Sequence, residues 1–109
     1  MRLAILAIAL AACQSSDVSR ELGARCDRSN ECDERCLLPS VDWPDGFCTV
    51  QCETDLECPE QGACLEEEGG VCAFTCAIDA NCGFLGPGYG CKERDARGGA
   101  GKRMVCRGT

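Results

Sequence analysis

The chain has 109 residues, 13 cysteines, no histidine and a formal net charge of −7 at pH 7. This length allows one small domain or a short array of very small ones, and it excludes a dinucleotide-binding sheet or a large barrel. From Cys13 onward, valine, leucine, isoleucine and phenylalanine number only 15 in 97 residues. Burial of so few apolar side chains does not offset the conformational entropy of folding. We therefore expect the cysteines to hold the chain together covalently.

Residues 1–12 predict a secretory signal peptide. Met1 and Arg2 form a short basic start, and residues 3–12 are a continuous run of leucine, isoleucine and alanine. Ten apolar residues are too few to cross a bilayer, which takes about 20, but they are typical of a signal peptide. The run ends in Leu10-Ala11-Ala12-Cys13, which resembles the lipobox of bacterial lipoproteins. That resemblance implies cleavage before Cys13 and lipidation of its thiol. A general signal peptide followed by an unpaired Cys13 is the open alternative.

The cysteine count agrees with lipidation, because assigning Cys13 to acylation leaves an even twelve. The resemblance implies three acyl chains, and several chains hold a membrane firmly. Gln14 follows Cys13 where an aspartate would direct retention, so the resemblance implies the outer membrane of a Gram-negative bacterium. The segment 14–25 is polar and lacks cysteine. We expect residues 13–25 to be a lipidated cysteine and a tether, the alternative being a frayed terminus.

The remaining twelve cysteines divide into three units of the form Cys-x5-Cys-x(3–8)-Cys-x(7–14)-Cys, with three residues between units. The units predict module 1 over residues 26–48, module 2 over 52–72 and module 3 over 76–106. The last loop of each unit varies most in length. A fold held by disulfides tolerates this variation, because a longer surface loop adds little closure entropy. The cysteines are Cys26, Cys32, Cys36 and Cys48; Cys52, Cys58, Cys64 and Cys72; and Cys76, Cys82, Cys91 and Cys106.

Each unit predicts a short helical turn followed by a hairpin. Ser29, Asp55 and Asp79 lie three residues after the first cysteine of their units, where a side-chain oxygen can cap the turn. The hairpins are predicted across the variable loops, pairing residues 35–38 with 46–50, 63–66 with 71–75, and 90–92 with 104–107. The fold class is therefore small and disulfide-rich, with three tandem cystine-knotted modules, short hairpins and little regular secondary structure. We expect no large core shared among the modules.

Spacing alone leaves three possible disulfide pairings in each unit. The residues Gly46-Phe47-Cys48, Cys52, Asp55, Cys58 and Pro59 follow the pattern G-x-C-x3-C-x2-D-x2-C-P. This pattern resembles cysteine-rich repeat lipoproteins of Gram-negative bacteria, and the unit also resembles the modules of Dickkopf and colipase-type proteins. The colipase-type pattern implies that the first cysteine pairs with the third and the second with the fourth. The implied bridges are Cys26–Cys36, Cys32–Cys48, Cys52–Cys64, Cys58–Cys72, Cys76–Cys91 and Cys82–Cys106.

The composition argues against several kinds of chemistry. Structural zinc sites and thioredoxin-type redox sites favour Cys-x2-Cys, which this sequence lacks, and no histidine is present as a ligand. Without histidine there is no general base that titrates near neutral pH, and the carboxylates form no recognisable acid–base pair. We expect no enzyme activity, no cofactor and no metal. The acidic total also repels nucleic acid.

The charges are unevenly distributed. Residues 13–72 hold 4 basic and 15 acidic side chains, whereas residues 73–109 hold 6 basic and 3 acidic ones. This asymmetry either serves solubility or makes a dipolar domain that orients towards a charged partner or a second copy. Two acidic loops, one with Asp42 and Asp45 and one with residues 66–68, could bind calcium, the alternative being solvated loops.

Three aromatic residues are candidates for binding: Trp43 in a Pro/Asp/Gly loop, and Phe84 and Tyr89 in the segment GFLGPGYG. Trp43 is either an exposed anchor or packed over the Cys32–Cys48 bridge. The sequence as a whole predicts an exported, lipid-anchored, non-enzymatic binding or structural module of the cell envelope. Its partners would be the membrane, through the N-terminal lipid, and an unidentified protein or envelope component. The alternative is an inhibitor of a secreted hydrolase that presents the loop 40–47.

Overall fold

Short β-strands alternate with 3-10 helices in the computed structural model, which describes residues 18–99 and 101–108. Over this part of the chain, no helix is long or apolar enough to cross a bilayer. The predicted signal peptide and Cys13 lie outside the described residues. The strands are β1 Arg35–Leu37, β2 Phe47–Thr49, β3 Gly62–Leu65, β4 Val71–Phe74, β5 Tyr89–Asp95 and β6 Lys102–Gly108, and the 3-10 helices are Ser29–Glu31, Asp55–Glu57, Glu67–Gly69, Asp79–Leu85 and Arg97–Gly99.

The six strands form three antiparallel hairpins, β1–β2, β3–β4 and β5–β6, one in each unit. The small disulfide-rich fold class and its short hairpins are thereby confirmed. In every hairpin the third and fourth cysteines of the unit lie directly opposite each other, as Cys36 does to Cys48. The third hairpin is longer than predicted, with seven residues in each strand. The long third loop supplies the extra length, because Asp95 pairs with Lys102 at the far end of the ladder.

Two disulfides in each unit tie the hairpin to the preceding helical turn. The third cysteine bonds the first and the fourth bonds the second, which are the pairs that the colipase-type resemblance implied. The sulfur atoms of the first, second and fourth cysteines lie within 4.8 Å of one another in each unit, so the two bridges pack side by side. A bridge of this kind typically contributes about 2–4 kcal/mol of stability.

The helical turns are present where they were predicted, but their capping differs from the prediction. The side chain just before the second cysteine reaches back to the backbone N–H groups in front of the turn, as Glu31 does to Asp27 at 2.6 Å and Asn81 to Ala77 at 2.9 Å. Asp55 and Asp79 instead accept the backbone N–H of the third cysteine, at 2.7 and 2.8 Å. They occupy the first position of the turn, from which the carboxylate reaches the hairpin.

Unit 1 differs because Ser29 stands where the other units have aspartate. In the described part of the chain, no hydrogen bond joins the Ser29 side chain to the N–H of Cys36. The link between turn and hairpin is therefore weaker in unit 1 by one charge-assisted hydrogen bond.

Each unit begins with a segment that pairs with its own last strand. The N–H of Gly23 donates to the carbonyl of Cys48, and the N–H of Cys48 donates to Ala24. In unit 2 Gln51 pairs with Val71, and in unit 3 Thr75 pairs with Val105. Residues 19–24 thus belong to the domain, and Leu22 is buried in its core. The predicted tether over residues 13–25 is therefore wrong for this part, while residues 13–17 lie outside the described chain.

The glycine of the G-x-C pattern is required by a close approach of two chain segments. Gly46 and Gly70 have φ values of +81° and +102°. A Cβ added to Gly46 would lie 1.8 Å from the carbonyl oxygen of Cys26, and one on Gly70 would lie 2.3 Å from that of Cys52. Only glycine fits a position where the backbone of the first cysteine passes so near.

One hydrophobic core extends through all three units, which corrects the expectation that no large core is shared. Phe47 from unit 1, Phe74 from the second hairpin, and Tyr89 and Val105 from unit 3 belong to the same buried cluster. The Phe47 ring lies 6.2 Å from that of Phe74 and 6.3 Å from that of Tyr89. The Cys26–Cys36 and Cys32–Cys48 bridges form a separate small cluster. The modules are thus separate in their disulfides but continuous in their packing.

Unit 3 also returns to unit 1 at the end of β6. The N–H of Gly108 donates to the carbonyl of Asp42 at 2.8 Å. A Cβ on Gly108 would lie 1.8 Å from the carbonyl oxygen of Val41, so the two segments are in close contact. Between them, unit 2 joins unit 3 through a bridge from Leu65 to Ala96. Each unit therefore contacts both of the others.

Exchanging aspartate and serine at the turn should change stability in opposite directions. Asp79→Ser removes the bond to the Cys91 N–H and should lower the free energy of unfolding by about 1–2 kcal/mol, whereas Ser29→Asp should raise it by up to about 1 kcal/mol. Guanidinium unfolding of the oxidised protein measures both. Glu60→Ser, which removes an exposed carboxylate, is the matched control. An Asp79→Ser variant as stable as this control would contradict the assignment.

Loss of both bridges in unit 3 should loosen unit 1. With Cys76, Cys82, Cys91 and Cys106 replaced by serine, Val105 and Tyr89 lose their fixed positions against Phe47, and Trp43 should become exposed. Trp43 is the only tryptophan, so its emission should shift to longer wavelength. Peptide mapping without reduction would verify that the four bridges of units 1 and 2 remain. An unchanged emission with these bridges intact would show instead that the units fold independently.

Candidate functional site

Trp43 is buried, with 2% of its surface exposed, so it is not the exposed anchor that one interpretation predicted. Its ring lies 4.9 Å from that of Phe47 and beneath the guanidinium of Arg107, 5.5 Å away. It belongs to the shared core, whereas the Cys32–Cys48 bridge belongs to the separate cluster, so the second interpretation is also not realised. Trp43 anchors its loop to the core. Its backbone N–H donates to the Ser40 hydroxyl, and its carbonyl accepts from the Gly46 N–H.

The other two aromatic candidates differ from each other in exposure. Tyr89 is buried, and its hydroxyl donates to the carbonyl of Pro44 at 3.0 Å. Burial, assisted by the charge of Asp45, raises the pKa of Tyr89 far above its ordinary value, so the hydroxyl stays protonated. Phe84 is partly exposed and packs edge-to-face on Phe74 with centroids 5.0 Å apart. Of the three candidates, only Phe84 offers an aromatic surface to a partner.

Arg107 is the point at which the three units meet, and no motif or spacing in the sequence singled it out. Its Nε lies 3.0 Å from Glu67 Oε2 and its Nη2 2.6 Å from Glu67 Oε1, while Nη1 lies 3.1 Å from Asp42. The Arg107 side chain is only 10% exposed. Burial acts to lower the pKa of Arg107, but the Glu67 and Asp42 carboxylates outweigh it and raise that pKa. One cation thus joins unit 3 to carboxylates of units 2 and 1 and to the Trp43 ring.

Further arginines join the acidic units in the same way. Arg97 of unit 3 bonds Glu53 at 3.0 Å and Glu66 at 3.3 Å, and Arg103 bonds Asp55. Hydrogen bonding to the Glu53 carboxylate raises the pKa of Arg97. The basic third unit therefore neutralises part of the acidic first and second units within one molecule. This internal pairing accounts for the charge asymmetry more directly than orientation towards a charged partner.

Four of the carboxylates in the two acidic loops are also paired with arginines, which leaves them less open to calcium. Asp42, Glu66 and Glu67 each face an arginine of unit 3, and Glu68 bonds Arg35 at 3.2 Å. In the described chain, the groups of three potential ligands that converge closely are the cysteine sulfurs, and these are already joined in disulfides. A cation at Asp42 or at residues 66–68 would have to displace a guanidinium first, whereas Asp45 has only a long 3.9 Å contact with Arg25.

Residues 38–42 form an exposed arc at the tip of the unit 1 loop. Leu38 is 59% exposed and Val41 74% exposed, while the base of the arc is held by Trp43 and by the end of β1 at Leu37. Beside it lies a recess of about 370 Å³ lined by Leu37, Leu38, Pro39 and Trp43, with the Arg35–Glu68 ion pair at its rim. The sequence contained a signal for this surface, since Pro39 and Val41 lie outside the predicted strands and follow no strand or helix period.

A second recess of about 360 Å³ adjoins the first, because Pro39 lines both. Its other lining residues are Arg25, Cys26, Asp27, Glu31 and Asp45. The backbone N–H of Asp27 bonds the Glu31 carboxylate and lowers the pKa of Glu31 below its ordinary value, so this group is ionised at neutral pH. The two recesses together place an apolar surface next to an acidic one.

No protein-family model, curated protein or solved structure matches this chain. The likeness to cysteine-rich repeat lipoproteins stays a prediction from the sequence. The unit 1 loop with its two recesses is accordingly the candidate site that the geometry itself offers.

Replacement of Arg107 by methionine should destabilise the domain by about 2–3 kcal/mol, because it leaves the half-buried Glu67 carboxylate unpaired. Arg107→Lys should cost less, since it keeps the charge but loses the two-pronged bond to Glu67. Arg94→Met is the matched control. Arg94 lies in the same hairpin, but its side chain donates to the carbonyl of its own neighbour Glu93 and not to another unit. Chemical unfolding measures all three. Equal stability of the Arg107→Met and Arg94→Met variants would contradict the role of Arg107 as a junction.

Proposed function

We propose that this chain is a lipid-anchored, non-enzymatic binding module of the cell envelope, which uses the unit 1 loop as its contact surface. The membrane is its partner through the N-terminal lipid, and a protein or other envelope component is its partner through the loop. The observation that supports the binding function is the exposed apolar arc containing Leu38 and Val41, next to the buried Trp43. Apolar side chains on a loop whose base is fixed by packing lose less conformational entropy when they bind than those on a free loop.

The proposed anchor depends on the sequence and on the cysteine count. The six bridges account for twelve of the thirteen cysteines. The remaining one is Cys13, at the end of the lipobox-like residues Leu10-Ala11-Ala12. The described domain begins a few residues later, so a lipid at Cys13 would hold the domain close to the bilayer rather than on a long tether.

Cys13→Ser should abolish the anchor. In a Gram-negative host, the wild-type protein should enter the detergent phase of a detergent partition assay, and the variant should enter the aqueous phase or keep its signal peptide. The reason is that the variant has no thiol to acylate, and the described domain has no membrane-spanning helix. Ser15→Ala, two residues away, is the control and should partition as the wild type does. If wild type and Cys13→Ser both stay aqueous, the anchor is refuted.

An inhibitor of a secreted hydrolase is the second candidate, and the same loop favours it. Protease inhibitors present an exposed segment whose flanks are locked by disulfides and packing. Here the Cys32–Cys48 bridge and Trp43 lock the flanks of residues 38–42. The two functions differ in the partner that the loop contacts.

A photoreactive residue at position 41 should distinguish the two functions in intact cells. An adduct with an envelope component is the expected result. Position 56 is the control, because Leu56 is also an exposed apolar residue, but on unit 2. An adduct with a secreted hydrolase, together with loss of that enzyme's activity, would replace the binding module by the inhibitor. Equal labelling from positions 41 and 56 would contradict both.

A further inference from the structure

The two recesses of unit 1 form one continuous surface with two chemical halves. Pro39 lines both, so the apolar half and the acidic half are in contact. The recesses have volumes of about 370 and 360 Å³, so each can hold at least one amino-acid side chain. A ligand that fills both must therefore carry two different groups close together.

The apolar half presents the exposed side chains of Leu38 and Pro39, and the buried Leu37 and Trp43 form its floor. The charged groups of its rim are paired, because Arg35 bonds the carbonyl of Glu68, at 2.9 Å, and the Glu68 carboxylate, at 3.2 Å, and Asp42 accepts from Arg107 at 3.1 Å. This rim has little charge left to attract an ionic group. The half therefore favours an apolar side chain, whose transfer from water is the main driving force for binding.

The acidic half has more negative than positive charge. Asp27, Glu31 and Asp45 line it, and Arg25 is the one basic residue in its lining. The Arg25–Asp45 contact is long, at 3.9 Å, and both side chains are well exposed, so it neutralises little. At the unit junctions, by contrast, the carboxylates of Glu66 and Glu67 face arginines at 3.3 and 2.6 Å. The negative charge of this half is thus available to a cationic ligand.

We propose that this surface binds an extended peptide segment in which an apolar side chain lies beside a lysine or arginine, or one residue from it. The apolar side chain occupies the recess at Leu38 and Pro39, and the cation occupies the recess at Asp27 and Asp45. Charge complementarity selects a basic peptide over an acidic one. This inference rests on the proposed binding function and names the chemistry of its partner.

Fluorescence polarisation with labelled peptides tests the proposal on the mature protein in detergent. The probes are acetylated seven-residue peptides of glycine and serine that carry leucine and arginine, either adjacent or one residue apart. Two further probes replace leucine by serine or arginine by glutamate. We expect saturable binding of a Leu/Arg peptide and at least tenfold weaker binding of the other two. The preference for arginine should shrink in 1 M salt, which screens exposed charges.

Matched variants assign the two halves. Leu38→Ser should weaken the Leu/Arg peptide at least tenfold, and Asp27→Asn with Asp45→Asn should remove the preference for arginine over glutamate. Leu56→Ser and Glu60→Gln make the same changes on unit 2 and should have no effect. Equal binding of all peptides, or equal effects of variant and control, overturns the proposal. So does self-association of the protein that Leu38→Ser abolishes, since the occupant would then be a second copy.

The outcomes separate this inference from the function on which it rests. If no peptide binds while position 41 still labels an envelope component in cells, the peptide assignment is overturned and the binding module stands. If position 41 labels no component more than position 56 does, the binding function itself fails.

Discussion

In each unit, the third and fourth cysteines lie opposite each other in the hairpin, yet neither bonds the other. Each reaches back instead, the third to the first cysteine and the fourth to the second. Both strands of the hairpin are thus tied to the helical turn before them. A two-stranded hairpin alone is marginally stable in water. The crossed bridges make each hairpin a rigid unit, and all packing between units depends on that rigidity.

Ion pairs provide part of the stabilisation between units that buried apolar side chains provide in larger domains. Arg97, Arg103 and Arg107 extend from the third unit to carboxylates of the first two. Exposed pairs contribute little to stability, but Arg107 is largely shielded from water, and its planar guanidinium contacts a carboxylate and an indole ring together. A chain with few large apolar residues obtains a single folded arrangement in this way.

Cysteine spacing predicts the three hairpins well, because the distance between the third and fourth cysteines sets the loop across which they pair. The shared core was not foreseen, although the sequence contains a sign of it. Phe47, Val71 and Val105 each precede the fourth cysteine of their unit, and all three are fully buried. This position is recognised only when the three repeats are aligned and the apolar residues are assumed to share one core. Arg107 could not be found from the sequence, since its partners lie 40 and 65 residues away and meet only when the three units close.

The sequence indicates the loop that carries the candidate surface but not the residues that are exposed on it. The loop that carries it was selected for Trp43, an aromatic residue among proline, aspartate and glycine. The structure reverses the roles, because Trp43 is the buried support and Leu38 and Val41 are the exposed residues. Burial of Trp43 depends on Arg107 and Phe47, and so on the closed arrangement of all three units.

The contact of Gly108 with Val41 and Asp42 makes the array a closed ring rather than an open row. In solenoid proteins each repeat contacts only its neighbours, so copies can be gained or lost during evolution with little harm to the rest. A closed ring has no such freedom. Duplication of one unit would move β6 away from unit 1 and separate Arg107 from Asp42, and deletion would remove the carboxylates that Arg107 needs. The number of units is therefore constrained by the same packing that constrains the residues of the core.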